Sequence, residues 1–503
     1  MTATSSQPAE RPGDLGADSE TFDSLDPASG ERIATFPVHT AADVESTVDR
    51  ARAAAGWWAG LGFVERGRRL RAWQADLARR SPELAALISR EGGKPVDDAM
   101  IELASAVEHL HWAPANAARV LGRRKVRPGA LVANLAASVE YQPYGVVGVI
   151  GPWNYPVFTP MGSIVYALAA GNAVVFKPSE FTPAVGKWLV DSLAAIVPEQ
   201  PVLQLVTGAG ATGAALCRSG VDKIAFTGST ATAKKIMATC AETLTPVLLE
   251  CGGKDALIVA ADADVDAAAT AALWGGMANA GQTCIGIERV YAVDAVYDEF
   301  VAALTAKAGK LVPGTDYGPA TMPAQLDVIR RHVDDALARG GRAVIGGAGS
   351  VRPPYAHPTV LVDVPEDSAA VTEETFGPTL TVTRAADTDD AVRKANATGF
   401  GLGAAVFARE GGEEIARRVR SGMASVNSVL SYASVGALPF GGVGDSGFGR
   451  IHGDDGLREF ARSKAITRQR FPAPIDVTRF DRRPWAMKSL GFLVRSLYGR
   501  TPR

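Results

Sequence analysis

The chain has 503 residues, 47% hydrophobic and 21% charged, which is enough to bury several cores and, by length, room for about three domains. A formal net charge of -2 and a pI near 6.4 leave no cationic surplus for a nucleic acid partner. Four cysteines without CxxC spacing exclude a disulfide framework, and no apolar run nears the ~18 residues of a membrane span, so the expected home is the cytoplasm.

Residues 1–21, rich in Ser, Pro and acidic side chains with no apolar signal core, read as a disordered tail. From 41 to 120 the Ala/Leu/Glu/Arg periodicity predicts helices, notably over 69–90 and 99–121. Between 123 and 144 alternating Val/Leu with basic residues predicts extended arms. From Val146 apolar strand candidates at 146–150, 173–176, 202–206, 223–226 and 246–249 alternate with helical stretches, notably 183–196, 211–219 and 230–243. Short buried strands separated by helices predict a parallel, doubly wound sheet. A second such pattern runs from about 255 to 443, with strands near 289–293, 343–345, 359–362, 379–383 and 403–407.

Polar groups cluster at the ends of the first set of strands. Asn154 follows the first, Lys177 and Glu180 the second, Ser229 the fourth and Glu250 the fifth. Open α/β sheets bind ligands outside the carboxyl ends of their strands, so this placement predicts a nucleotide site. Gly208-Ala209-Gly210-Ala211-Thr212-Gly213 matches GxGxxG but lacks the acidic residue about 20 positions on, and reads as a glycine-rich turn.

Three residues carry the chemistry. Cys284 lies in Gly281-Gln282-Thr283-Cys284, Asn154 in Pro152-Trp153-Asn154-Tyr155-Pro156, and Glu250 in Glu250-Cys251-Gly252-Gly253-Lys254. Singly they have plainer readings: a core thiol, a turn Asn, and a strand-end carboxylate paired with Lys254 or an arginine. Together they supply a nucleophile, an amide donor for an oxyanion and a base. The six histidines lie outside these motifs, which gives no support to a Cys–His or Ser–His–Asp hydrolase, and no His/Cys cluster suggests a metal.

These segments, with Lys177-Pro178-Ser179-Glu180, Phe226-Thr227-Gly228-Ser229-Thr230, Glu374-Thr375-Phe376-Gly377-Pro378 and Pro439-Phe440-Gly441-Gly442, resemble the NAD(P)-dependent aldehyde dehydrogenase superfamily over roughly residues 22–470. The resemblance implies an α/β fold with two doubly wound Rossmann-like domains, cofactor and catalytic, plus a β-arm for oligomerisation. The expected cofactor domain is 22–121 with 143–252, the catalytic domain 253–445, and the arm 122–142 with 446–470. It also implies oxidation of an aldehyde to a carboxylic acid through a thiohemiacetal and a thioester on Cys284, with Asn154 holding the oxyanion and Glu250 activating water. Trp153, Lys177, Glu180, Gly228, Ser229, Glu374 and Phe376 would bind the cofactor, expected to be NAD, with NADP the alternative, because Glu180 would repel a 2′-phosphate. A homodimer or homotetramer is implied.

Ile285, Gly286 and Ile287 after the nucleophile suggest an apolar lining and hence an apolar aliphatic or aromatic aldehyde; a semialdehyde such as succinate semialdehyde is the alternative. Departures from the family pattern are Cys251 where Leu is usual, Ala233 for Gly, Ser163 for Lys, and Gly444-Asp445 in place of a common Lys. Beyond the resemblance, 471–503 forms a C-terminal extension. Pro484 is expected to open a helix bearing Trp485, Leu490, Leu493, Val494 and Leu497 beside Lys488, Arg495 and Arg500. Such a segment either lies on an anionic membrane through 484–500 or docks on the enzyme or a partner subunit, and its short apolar face favours docking.

Overall fold

The first sheet is built where the short apolar runs predict it. Its strand order is Gly447–Phe448, Val247–Glu250, Lys223–Thr227, Val146–Ile150, Ala173–Lys177 and Leu203–Leu205; the last five are parallel and the edge pair Gly447–Phe448 is antiparallel. Helices Phe158–Ala170, Pro183–Ile196, Gly210–Arg218 and Thr230–Ala241 link these strands. The computed structural model describes residues 21–473, 475 and 477–499. The expected tail lies outside them except for Thr21, which opens a hairpin of Thr21–Leu25 with Arg32–Pro37.

From Val146–Ile150 the chain winds outward to Ala173–Lys177 and Leu203–Leu205, then returns to the opposite side at Lys223–Thr227. The order therefore reverses between Val146–Ile150 and Lys223–Thr227, and the loops leaving those two strands splay apart to form a crevice. Asn154 leaves from one and Ser229 from the other.

A second sheet carries Arg342–Ile345, Thr359–Val362, Thr379–Ala385, Ile287–Val293, Asp255–Val259, Ala404–Phe407 and Ser425–Val426, parallel except at Arg342–Ile345. Leu257, Val259, Val290, Val360, Val382 and Ala405 form one core with helices Val265–Met277 and Asp294–Ala308.

Two stretches differ from expectation. The helical region at 69–90 is broken at Arg80 into Gly62–Arg79 and Ser81–Gly92, because Pro82 cannot continue a helix but suits a first turn. The stretch 446–470, expected wholly in the arm, is split. Gly447–Phe448 joins the first sheet, and helix Gly453–Glu459 packs on helices Val96–Leu121 and Phe158–Ala170. Only Ala461–Gln469 enters the arm sheet, pairing with Leu135–Pro143, which also pairs with Arg124–Val126. The C-terminal helix is Pro484–Tyr498, with Ala486 its one buried residue. No helix among the described residues is long and apolar enough to cross a membrane.

Candidate active site

Cys284 follows a tight turn that the sequence makes strained. Asn279, Ala280 and Gly281 have φ of 53°, 57° and 70°, the left-handed region that Gly and Asn tolerate and Ala does not. Side-chain bonds hold the turn: Asn279 Nδ2 donates to Asn154 O at 3.0 Å, and Gln282 Nε2 donates to Asn279 O at 3.0 Å. Asn154 Nδ2 donates to Gln282 O at 2.9 Å, two residues before the thiol. That bond engages one of the two N–H groups of the amide.

Gly253 closes the site from below. A methyl group there would stand 2.5 Å from Cys284 O, so only glycine permits this backbone approach. Glu250, at the end of Val247–Glu250, and Cys284 line one cleft together with Tyr155, Thr283 and Cys251. Neither carboxylate oxygen of Glu250 has a hydrogen-bond partner. Burial holds its proton well above the ordinary carboxylate range, partly opposed by Arg450. Burial, with Glu374, Asp255 and Glu250 nearby, also lifts the half-buried Cys284 thiol. A thiol and a carboxyl, both reluctant to ionise, face one cleft of about 980 Å³, counted to its open mouth. Its wall includes Ile101, Phe158, Trp274, Ile285, Leu430 and Phe440, so Ile285 lies where expected, whereas Ile287 is buried in the second sheet.

The other candidates lie along the crevice. Lys177 Nζ is 3.7 Å from Glu180 Oε2 and donates to Pro178 O at 3.0 Å. Ser229 caps helix Thr230–Ala241, its Oγ accepting from Thr232 N at 3.3 Å, which leaves other N–H groups of that first turn for an anion. Trp153 and Phe376 meet edge-on, ring centroids 5.5 Å apart. Glu374 accepts from Gly253 N at 3.0 Å and lies over Gly252, where any side chain would overlap its carboxylate. Burial and Glu288 push its carboxyl up to about 8. Gly228 is half-buried, packed on the Phe226 ring. This set fits a dinucleotide: a helix N-terminus at the sheet's crossover, an aromatic pair, and the carboxylates of Glu180 and Glu374, which would accept from sugar hydroxyls. Gly213, third of the glycine-rich turn, packs against the aliphatic chain of Lys177.

The model of the Aldehyde dehydrogenase family matches residues 15–466. The chain belongs to the aldehyde dehydrogenase family. It is similar to 4,4'-diapolycopene aldehyde oxidase of Methylomonas sp, 36% identical over 90% of this chain and 87% of that protein. A Mycobacterium tuberculosis protein provisionally named succinate-semialdehyde dehydrogenase [NADP(+)] 2 is 36% identical over 88% of this chain and 87% of its own. Among solved structures, the NAD-dependent aldehyde dehydrogenase from Sinorhizobium meliloti superposes with a TM-score of 0.86 at 33% identity, covering 91% of this chain and 93% of that one. As an aldehyde dehydrogenase, the protein oxidises an aldehyde using NAD or NADP. Members of the family are typically oligomeric.

In this aldehyde dehydrogenase two buried ion pairs organise the loops around the cleft, and sequence reading overlooked both. Lys94 donates to Glu102 Oε2 at 2.7 Å and to Asn154 O at 2.8 Å, while Glu102 Oε1 accepts from Val157 N at 2.8 Å. The only sequence signal was a carboxylate inside the apolar stripe Ala99, Leu103, Ala106 and Leu110. Lys254, the partner that the plainer reading of Glu250 would need, instead pairs with Glu288, which also accepts from Thr375 N and Phe376 N, each at 2.8 Å. Glu288 thus fixes the loop that carries Glu374 and Phe376. Removing it leaves two N–H groups without partners and a buried ammonium with only the Thr375 hydroxyl, at 3.0 Å, to accept from it. Glu288→Ala is therefore expected to lower unfolding free energy by roughly 3–5 kcal/mol in urea titration, and Glu288→Gln by less.

Cys251 lines the cleft with Cys284, and burial pushes its thiol up to about 12. Ala233 and Ser163 are buried on their helices. Asp445 pairs with Lys234 at 3.1 Å.

Proposed function

We propose that the protein oxidises apolar aliphatic or aromatic aldehydes to carboxylic acids with NAD, through acyl transfer on Cys284. The Cys284 thiol passes its proton to water and its sulfur bonds the aldehyde carbon, the carbonyl π pair moving to oxygen to give a thiohemiacetal anion. Asn154 Nδ2–H and the Cys284 N–H hold the resulting oxyanion; one such donor is worth roughly 3–4 kcal/mol in a dry site. The nicotinamide cofactor, when bound, accepts the hydride released from that carbon. Glu250 then takes a proton from water, whose oxygen attacks the thioester and frees the acid and the thiol. The observation that carries this reading is a buried carboxylate without partners facing a cysteine across an apolar cleft.

The cofactor is assigned to Trp153, Lys177, Glu180, Gly228, Ser229, Glu374 and Phe376. The division of labour follows 22–121 with 143–252 for the cofactor, 253–445 for catalysis, and 122–142 with part of 446–470 as the arm. Glu180 beside Lys177 favours the ribose hydroxyls of NAD over the 2′-phosphate of NADP. Glu180→Ser is expected to raise the NADP to NAD ratio of kcat/KM by about 10- to 100-fold, as removal of a like-charge contact requires. Steady-state kinetics with both cofactors measures it.

The mainly apolar wall supports an apolar substrate. The name of the Mycobacterium tuberculosis relative favours a second reading, a semialdehyde with a distal carboxylate. Such a substrate needs a cation, and Lys94, the one basic residue lining the cleft among the described residues, is committed to Glu102 and Asn154 O. A panel of aliphatic, aromatic and carboxylated aldehydes separates the two. Higher kcat/KM for the carboxylated compounds would reverse the assignment.

The nine-residue strand Ala461–Gln469 is an exposed sheet edge, a template for pairing with another chain, and supports a homodimer or homotetramer. We place the enzyme in the cytoplasm, touching a membrane peripherally through 484–500.

A further inference from the structure

Helix Pro484–Tyr498 is covered by the rest of the described chain only at Ala486 and, in part, along Ser489, Leu490, Gly491 and Leu493. Trp485, Met487, Phe492, Val494, Leu497 and Tyr498 are all exposed, Phe492 at 64% and Tyr498 at 63%. Lys488 and Arg495 lie seven residues apart, two helical turns, and so form, with Ser489 and Ser496 beside them, one polar and basic stripe along a mainly apolar helix. At ~1.5 Å per residue the helix reaches roughly 22 Å, short of the ~30 Å hydrocarbon core of a bilayer. It can lie in a membrane surface but cannot cross it.

The basic side chains of Arg482, Arg483, Lys488 and Arg495 are exposed. Residues 471–503 carry seven Lys and Arg against two Asp, in a chain whose net charge is -2. Arg483, Lys488 and Arg495 form no ion pair among the described residues, although the remainder of the chain is acidic. Arg482 and Arg483 stand at the helix N-terminus, where the helix dipole disfavours cations. Helix stability gives no reason for them there. An external anion does. Basic residues beside exposed Trp, Phe and Tyr match a bilayer interface, where the rings enter the acyl boundary and the cations meet headgroups.

We infer that helix Pro484–Tyr498 docks this enzyme onto an anionic lipid surface, with Trp485 and Phe492 inserted and Arg483, Lys488 and Arg495 facing headgroups. This rests on, and makes specific, the peripheral contact proposed above. The enzyme is thereby tethered where apolar aldehydes dissolve.

Sedimentation of the full chain with phosphatidylcholine vesicles, with or without phosphatidylserine, tests it. Binding is expected to be at least about tenfold tighter with phosphatidylserine and to fall with added salt. R483E/K488E and W485S/F492S should each weaken it by at least about tenfold, with oxidation of a short soluble aldehyde and the oligomer size unchanged. Absence of sedimentation with phosphatidylserine, or wild-type binding by both variants, overturns the inference. So does dissociation of the oligomer in either variant, since the helix would then be an interface between copies. Vesicle binding is read without turnover, so a wrong aldehyde assignment and a wrong membrane assignment give different results.

Discussion

Cys284→Ala is expected to reduce aldehyde oxidation by ~10⁴-fold or more, with NAD binding and folding retained. The side chain is half-buried at the floor of the cleft, so loss of one sulfur leaves no cavity in a packed core. Nothing else near it can replace the nucleophile. Cys251 shares the cleft, but burial keeps its thiol protonated, pushed up to about 12. Stopped-flow absorbance of NADH measures the effect: the wild type gives a first-turnover burst or a steady rate, and the alanine variant neither. Cys251→Ala, by the same argument, should retain most of the activity.

Glu250→Gln separates the two halves of the reaction. Acylation and hydride release are expected to continue, because Cys284 and Asn154 are untouched. Hydrolysis should slow by about 10²- to 10⁴-fold, the usual worth of a positioned general base. The result is one equivalent of NADH per active chain, followed by a stall. Substitution is structurally mild, since neither carboxylate oxygen makes a hydrogen bond that the amide would lose. Full steady-state turnover in this variant would remove Glu250 from the assigned role.

The pH dependence has a definite sign. Burial raises both the Glu250 carboxyl and the Cys284 thiol above their ordinary ranges, and each works only after losing its proton. Turnover should therefore climb with pH on the alkaline side of neutrality. In Glu250→Gln the pH dependence of the burst keeps the limb that belongs to the thiol, and the carboxyl limb is lost.

Much of this fold was legible in the sequence because parallel strands are short, apolar and separated by helices. Val146–Ile150 and Thr359–Val362 have the bounds that the apolar runs predict. Asp255–Val259 was overlooked as a strand: it opens on a charged residue directly after Gly252-Gly253, although it sits between two central strands of the second sheet. Ser425–Val426 is too short to leave any periodic signal.

The candidate site was legible as residue types but not as a scaffold. Cys284, Glu250 and Asn154 each stand beside glycine or proline punctuation, which marks them. Lys94, Glu102 and Glu288 carry no such mark, because a buried ion pair is defined by partners distant in the chain. Lys254 shows the limit most clearly: four residues from Glu250, it turns away to Glu288, 34 positions on. Local spacing cannot report on which side of a strand end a lysine leaves. The C-terminal helix was legible from Pro484 onward, yet its expected docking on the enzyme depends on surfaces that sequence does not describe. In the fold Ala486 is its one buried residue.

The central claim is a covalent acyl group on one sulfur. Glu250→Gln enzyme mixed with NAD and an apolar aldehyde, quenched in acid after the NADH burst and digested, gives a direct reading by peptide mass. The peptide bearing Cys284 should gain the mass of the acyl group in proportion to the NADH formed. NADH release with that peptide unmodified, or with the acyl group on Cys251 instead, would contradict it.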